Sequence, residues 1–297
     1  MNLKTNHLFF IFVTVFFVSS CATVKQPDFS KVTTIETTAF SDVEKTVLLI
    51  NKKYGVENVL IVLDIDNTIL TSTIDLGGDV WYQWQREKLA IKPSESQKVR
   101  CLFEDSIGLL YELGTMRLTE EHLPRTISAW QSQGNNVMAL TSRAPKYRAA
   151  TERELDRRNI NLDISPLSPK GEKSPVYREV KGRELSYMKG IMMTSGMNKG
   201  EMLEYILDKT KRQFKAIIFV DDSQKNIDDL YKKYANHQSL DMRIFHYTRV
   251  EEKRKEVNGA VITQKQAKKM ESDWNELNRA LNKIFPARDL KDSCLSN

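Results

Sequence analysis

Four carboxylates stand in two pairs in this chain, and each pair closes a short apolar run. Asp64 and Asp66 follow the run in "VLIVLDIDNTIL" (59–70), and Asp221 and Asp222 end "KAIIFVDD" (215–222). A third run, "NVMALT" (136–141), ends in Thr141, with Ser142 and Arg143 next. If these runs are neighbouring strands of a parallel sheet, their carboxyl ends lie at the edge where ligands gather. Like charges crowded in a partly dry site raise one another's pKa or disrupt the fold unless a cation sits among them. An all-oxygen set of this density suits a hard cation. Magnesium is the natural candidate, because it keeps several waters and joins carboxylates to a substrate phosphate.

The elements that must hold these residues alternate along the chain. Ser41 and Glu44 read as a capping box in "SDVEKTVLLINKKYG", a helix closed by Gly55. A mostly helical stretch is expected from about 95 to 133, stopping at Gly134, and another helix over "YRAATERELDRRN". "NLDISPL" (161–167) offers a third strand, "MRIFHY" (242–247) follows a helix starting near Gln224, and a final helix covers about 263–284. The strands are continuous apolar runs rather than alternating ones. That pattern predicts an α/β fold whose parallel sheet is covered on both faces.

These residues carry a resemblance. "DIDNT" resembles the first motif, DxDx(T/V), of the haloacid dehalogenase (HAD) phosphohydrolase superfamily. "LTSR" resembles its second motif, "NKGEML" its third with Lys199 at a helix start, and "IIFVDDSQKN" its acidic fourth, all in order. With the threonine in "RAATERELDRRNI" and the amino terminus described below, the chain looks most like the secreted lipoprotein acid phosphatases (class C-like) and their uncharacterised lipoprotein relatives. It departs from them at Asp221, Asp222 and Asn226, where they have a GD followed by a second Asp.

The resemblance implies a three-layer Rossmann-like fold with a central parallel sheet, and it implies roles. Asp64 would attack phosphorus to form an aspartyl-phosphate. Asp66 would protonate the leaving oxygen, then take a proton from water, while its backbone carbonyl binds the metal. Thr141 would hydrogen-bond a phosphoryl oxygen, and Lys199 would offset the charge of nucleophile and phosphate. Magnesium would be held by Asp64, Asp66 and Asp222, with Asp221 as a direct ligand or behind one. The implied activity is hydrolysis of a small phosphate ester. The competing reading is a catalytically silent envelope lipoprotein that uses a HAD-like fold to bind a partner.

Spacing locates a lid. Asp64 and Thr141 lie 77 positions apart, whereas one helix and a return strand need roughly 30. The surplus, about 70–118, is expected to form a small, mostly helical cap. Within it Trp81, Tyr82 and Trp84 form either an aromatic wall for substrate, together with Arg143, or the cap's own core. The 58 positions from Thr141 to Lys199 leave room for a second flap or hairpin, with "LSYMKGIMMT" strand-like at its end.

The amino terminus has the charge, apolar core and small-residue exit of a secretory signal: Lys4, then "LFFIFVTVFFV" (8–18), then Ser19 and Ser20. "VSSC" resembles a lipoprotein lipobox with Cys21 as the lipidated residue, and Ala22 after it implies sorting to the outer membrane, facing the periplasm or the cell surface. Residues 1–20 are thus expected as signal, 21–40 as lipidated tether, and 41–297 as the catalytic domain. Losing residues 1–20 removes Lys4 alone of the charged side chains, leaving 44 basic against 39 acidic. That mild bias, with acids interleaved throughout, argues against nucleic acid as a partner. Cys101, Cys294 and the histidines show no metal spacing, so zinc is not expected; free structural thiols are the default, with a pairing of the two in an oxidising periplasm left open.

Overall fold

In the computed structural model, which describes residues 32–237, 239–289 and 294, one eight-stranded sheet runs through the protein. Its strands are β1 (Val32–Thr37), β2 (Val59–Leu63), β5 (Asn136–Thr141), β6 (Tyr177–Lys181), β7 (Arg183–Met188), β8 (Ile191–Met193), β9 (Ala216–Asp221) and β10 (Asp241–Tyr247). Across the sheet the order is β1-β10-β9-β2-β5-β8-β7-β6. The strands from β1 to β8 are parallel to their neighbours, and β7 and β6 extend that edge antiparallel.

Every residue of β2 and β9 is buried, as expected of strands covered on both faces. Side-chain alternation sorts the sheet into two cores. Ile61, Leu63, Ile218 and Val220 pack with α1 (Phe40–Tyr54) and α4 (Leu123–Gln133). Leu60, Val62, Ile217 and Phe219 pack with α6 (Lys199–Thr210) and α7 (Gln224–Tyr234) on the other side. Each of these buried apolar side chains contributes about 1.5–3 kcal/mol. The result is a three-layer, Rossmann-like α/β fold, completed by α5 (Arg148–Arg157), α8 (Arg249–Asn258) and α9 (Gln264–Ile284).

Between the end of β2 and α4 the chain makes the expected insertion. It begins and ends in an antiparallel ribbon, β3 (Leu70–Ser72) with β4 (Met116–Leu118), and holds α2 (Asp79–Gln85) and α3 (Ile107–Leu113). The helical stretch expected over 95–133 is therefore interrupted: α3 ends at Leu113, and Met116 pairs with Ser72 before α4 begins.

Other expectations need correcting. The tether drawn to residue 40 includes β1, whose "VTTIET" pairs in register with β10 from Val32 to Thr37. It is an edge strand with one partner, so a threonine-rich sequence with Thr34 and Glu36 exposed is compatible with pairing. "NLDISPL" is not a strand; Leu162 and Leu167 are buried plugs from a loop, and Pro166 has no N–H for a ladder. The edge beside β5 is taken by β8. The first helix starts at Phe40 with Ala39 at its N-cap, so Ser41 and Glu44 make no capping box, and Glu44 accepts from Thr126 instead. Cys101 and Cys294 are not free thiols but a disulfide joining residues 193 positions apart. The signal segment and Cys21 lie outside the described residues. Among the described residues no helix is long and apolar enough to cross a membrane.

Candidate active site

The loop after β2 turns sharply because Ile65 O accepts from three following N–H groups, Thr68, Ile69 and Leu70, at 2.9–3.3 Å. Asn67 sits in the left-handed region (φ 56°), which asparagine tolerates better than most residues. Asp64 ends the strand still on the ladder, its N–H donating to Val220 O at 2.8 Å. The acidic pair is thus anchored between β9 and β5, the two neighbours of β2.

Lys199 reaches this edge from the first turn of α6, whose N-cap Asn198 accepts from the Glu201 N–H at 3.0 Å. Its ammonium is 0 % exposed and donates to Asp64 Oδ1 and Asp221 Oδ2, both at 2.6 Å. Asp221 is held further by the Ser223 N–H at 2.9 Å and by Asn226 Nδ2 at 3.0 and 3.1 Å. Asp222 accepts from Asn67 Nδ2 at 3.1 Å, and the same amide group donates to Asp79 Oδ2 at 2.8 Å. Asp79 opens α2 and accepts also from Gln83 within that helix.

Asp66 points to a different partner. Arg143 grips both its oxygens, Nε to Oδ2 at 2.9 Å and Nη2 to Oδ1 at 2.8 Å. The arginine is buried over the Tyr111 ring and held by Thr151 Oγ1 at 2.9 Å, so the clamp is fixed from behind. Thr141 ends β5 on the strand next to β2, buried, its Oγ1 accepting from the Arg143 N–H at 3.2 Å.

The charges do not cancel. Five carboxylates (Asp64, Asp66, Asp79, Asp221, Asp222) share two cations, Lys199 and Arg143. Burial pushes Asp64 up to about 8, with Asp221 and Asp66 adding to it and Lys199 opposing it only in part. Burial also raises Asp222 well above the carboxylate range, reinforced by Asp79 and Asp221. Asp79 is pushed up to about 6, by burial first and Asp66 second. Burial would depress Lys199, but Asp221 and Asp64 more than reverse that, so the ammonium stays charged. One oxygen each from Asp64, Asp221 and Asp222 lie within 4.8 Å of one another, a spacing and an all-oxygen chemistry that fit a hard cation.

The residues expected at the chemistry are therefore divided. Asp64, Lys199, Asp221 and Asp222 converge, and Asp66 with Arg143 forms an adjoining ion pair rather than joining the cluster through its carboxylate. Arg143, expected against substrate, holds Asp66 instead. The aromatic wall is a correction: Trp81 and Trp84 are 0 % exposed inside the insertion, where Trp81 packs on Trp274 with centroids 6.1 Å apart. Tyr82 is half-buried, edge-on to Phe103. Asn67 and Asp79 are site residues that the sequence reading missed. The left-handed turn residue after "DID" was a signal for the first, whereas nothing local marks the second.

The family described as "Protein of unknown function (DUF2608)" matches this chain over residues 36–286. Three chlamydial proteins, each named "Putative outer membrane protein", are similar to it. The Chlamydia pneumoniae protein is 24 % identical over 185 residues, 61 % of this chain and 68 % of its own length. Those of Chlamydia muridarum and Chlamydia trachomatis are 22 % and 21 % identical over 175 residues, 59 % of this chain and 63 % of theirs, which is less than two thirds.

Proposed function

We propose that this chain, which belongs to the DUF2608 family, is a magnesium-dependent phosphomonoester hydrolase of the cell envelope that works through an aspartyl-phosphate at Asp64. The observation that carries the reading is the meeting of Asp64, Lys199 and Asp221 at 2.6 Å contacts on adjacent strand ends, with Asp222 beside them. The ordered motifs that resemble the haloacid dehalogenase superfamily point the same way.

On this reading an Asp64 oxygen attacks phosphorus and the bond from phosphorus to the ester oxygen breaks. That leaving oxygen takes a proton from Asp66. Because both Asp66 oxygens are engaged by Arg143, proton transfer requires one of those hydrogen bonds to open. Water then attacks phosphorus, Asp66 takes its proton, and inorganic phosphate leaves with Asp64 regenerated. Lys199 offsets the charge on Asp64 and on the transferring group, and Thr141 offers a hydroxyl to a phosphoryl oxygen. Magnesium, when bound by Asp64, Asp222 and the Asp66 carbonyl, supplies charge neutralisation for phosphate and carboxylates. Asp221, already committed to Lys199, Ser223 and Asn226, is better suited to orient Lys199 than to ligate directly.

The envelope location draws on the names of the chlamydial relatives, on the signal and Cys21 lipobox pattern, and on the disulfide, which suits an oxidising compartment. The anchor is the lipid on Cys21, on the periplasmic or outer face. Asp64→Asn with p-nitrophenyl phosphate, with magnesium and with EDTA, tests the chemistry. Turnover is expected to fall at least about a thousandfold with the fold intact, and retention of wild-type turnover would sink the mechanism.

One observation favours the silent reading: the cleft beside Asp66 and Arg143 holds only about 20 Å³. Under it, the wild-type protein turns over no member of a panel of phosphate esters.

A further inference from the structure

Asp222 leaves the sheet one residue after β9 ends, so its peptide group lies just beyond the ladder that fixes Asp221. On the neighbouring strand β10, His246 is the residue paired in register with Asp221, and its side chain reaches the departing backbone. Its Nε2 lies 3.0 Å from the Asp222 carbonyl oxygen. A carbonyl oxygen only accepts, so Nε2 carries a proton and donates it to that bond. The other ring nitrogen, Nδ1, is 3.9 Å from Glu36 Oε2, too far for a hydrogen bond, and Glu36 is an exposed residue of the edge strand β1. Of these two contacts only the one to Asp222 is a hydrogen bond.

The acids of the site are not held equally. Asp64 is still on the ladder through its N–H, and its carboxylate accepts from Lys199. Asp221 accepts from Lys199, from the Ser223 N–H and from Asn226. The Asp222 carboxylate takes one hydrogen bond among the described residues, from Asn67 at 3.1 Å, and Asn67 divides its amide group between Asp222 and Asp79. Precision that its carboxylate partners do not give must therefore come from its backbone. An aspartate carboxyl carbon is two bonds from Cα, so the position of the peptide limits where its oxygens can go. Magnesium tolerates little error there, because it demands near-octahedral geometry at about 2.0–2.1 Å.

We propose that His246 is a positioning residue for magnesium: by holding the Asp222 carbonyl, it presets the Asp222 carboxylate toward the oxygens of Asp64 and Asp221. This role rests on the reading that the acidic edge binds magnesium, and not on phosphatase turnover. Removing a group that orients a metal ligand weakens metal affinity by about 10-fold to 100-fold. His246 acts on the backbone of Asp222 rather than on its carboxylate, which places the expected effect at the low end of that range.

The test is calorimetric titration of magnesium into the full chain without substrate, comparing wild type with His246→Ala and His246→Gln. The alanine variant is expected to bind magnesium about tenfold more weakly. Glutamine, whose Nε2 can take the place of the imidazole Nε2, is expected to recover most of the affinity. Urea melts in EDTA accompany the titrations, because a histidine that only braces the fold would lower the metal-free midpoint and leave the dissociation constant unmoved. If the alanine variant does not fold, His246→Phe, which keeps the ring's bulk without a donor, carries the same expectation. Magnesium affinity equal to wild type in the donor-less variant overturns the proposal, as does a glutamine variant that binds no better than that variant. No uptake of magnesium by the wild type itself would instead overturn the metal site, and the role of His246 with it.

Discussion

The acidic edge of the sheet and the cleft between α2 and α9 are both buried polar regions, but they are incomplete in opposite ways. At the edge, hydrogen bonds are plentiful and charge is out of balance, with five carboxylates around Lys199 and Arg143. In the cleft between α2 and α9, Lys98 is engaged by two glutamates and Glu271 by Gln97 at 2.6 Å, yet Trp81 Nε1, Trp84 Nε1, Arg288 Nε and Asn282 Oδ1 are buried with no hydrogen-bond partner among the described residues. A charge deficit is met by a cation, because burial penalises each uncompensated carboxylate. A hydrogen-bond deficit is met by hydroxyls or water, because the penalty there is a missing partner rather than a missing charge. What a buried polar region binds can thus be read from which of the two accounts fails to close.

The sharpest way to break this comparison is to remove the buried ammonium of Lys199, which serves two acids. Lys199→Met leaves Asp64 and Asp221 buried without it. Loss of one partner from a buried ion pair costs about 3–5 kcal/mol, read as a lower urea midpoint in EDTA, and turnover is expected to fall with it. A variant as stable as wild type would mean that the edge is wet enough to solvate its acids, and the charge-deficit account would fail. The cleft has a matching intervention. Cys294→Ser opens a link spanning 193 positions and is expected to cost about 2–4 kcal/mol. Its magnesium response should stay unchanged, since the disulfide lines the cleft and not the acidic edge. Loss of that response in Cys294→Ser would show that the two regions are one.

Magnesium itself separates the acids. A cation that binds only the folded state raises stability by about 1–3 kcal/mol at 10 to 100 times its dissociation constant. Asp222→Ala is expected to erase most of this gain, and Asp221→Ala to weaken it less, because Asp221 is already held by Lys199, Ser223 and Asn226. Melting curves with magnesium and with EDTA decide it. The reverse ranking would make Asp221 the direct ligand.

How legible the two regions are in the sequence differs for a physical reason. β2, β5 and β9 are continuous apolar runs, so their ends, and with them Asp64, Thr141, Asp221 and Asp222, can be read without a structure. Lys199 is legible only through the resemblance of "NKGEML" to the third motif, since a lone lysine at the start of α6 reads as a solvated side chain. β1 was opaque because an edge strand needs no apolar run: it is mostly threonine, with Thr34 and Glu36 exposed, and β10 supplies the pairing. The partners of Asp66 and Asn67 lie 77 and 155 positions away, beyond any local pattern. Trp81 and Trp84 were visible as an aromatic cluster, but which way α2 faces depends on α9, nearly two hundred positions downstream by the numbering. Residue type marked an aromatic cluster there, and only packing could say that it is buried against α9.

The smallest effect concerns Asp79, whose side-chain hydrogen bonds come from the neutral amides of Asn67 and Gln83. Its folded pKa is raised to about 6 from an ordinary 3.8, by burial and then by Asp66. A raised acid makes the folded state the better proton binder. Its stabilising contribution is therefore complete below about pH 4 and is lost as pH rises through about 6. In EDTA, Asp79→Asn removes that loss while keeping a side-chain oxygen that can accept from Asn67 or Gln83. The variant is expected to match wild type near pH 4 and to exceed it by about 1–2 kcal/mol at pH 7 to 8, a figure reduced for the partial exposure of the group. Urea melts at a series of pH values measure the difference. A gain of the same size at both ends of the range would assign the effect to helix capping at α2 rather than to charge, and Asp79 would leave the account of the acidic edge.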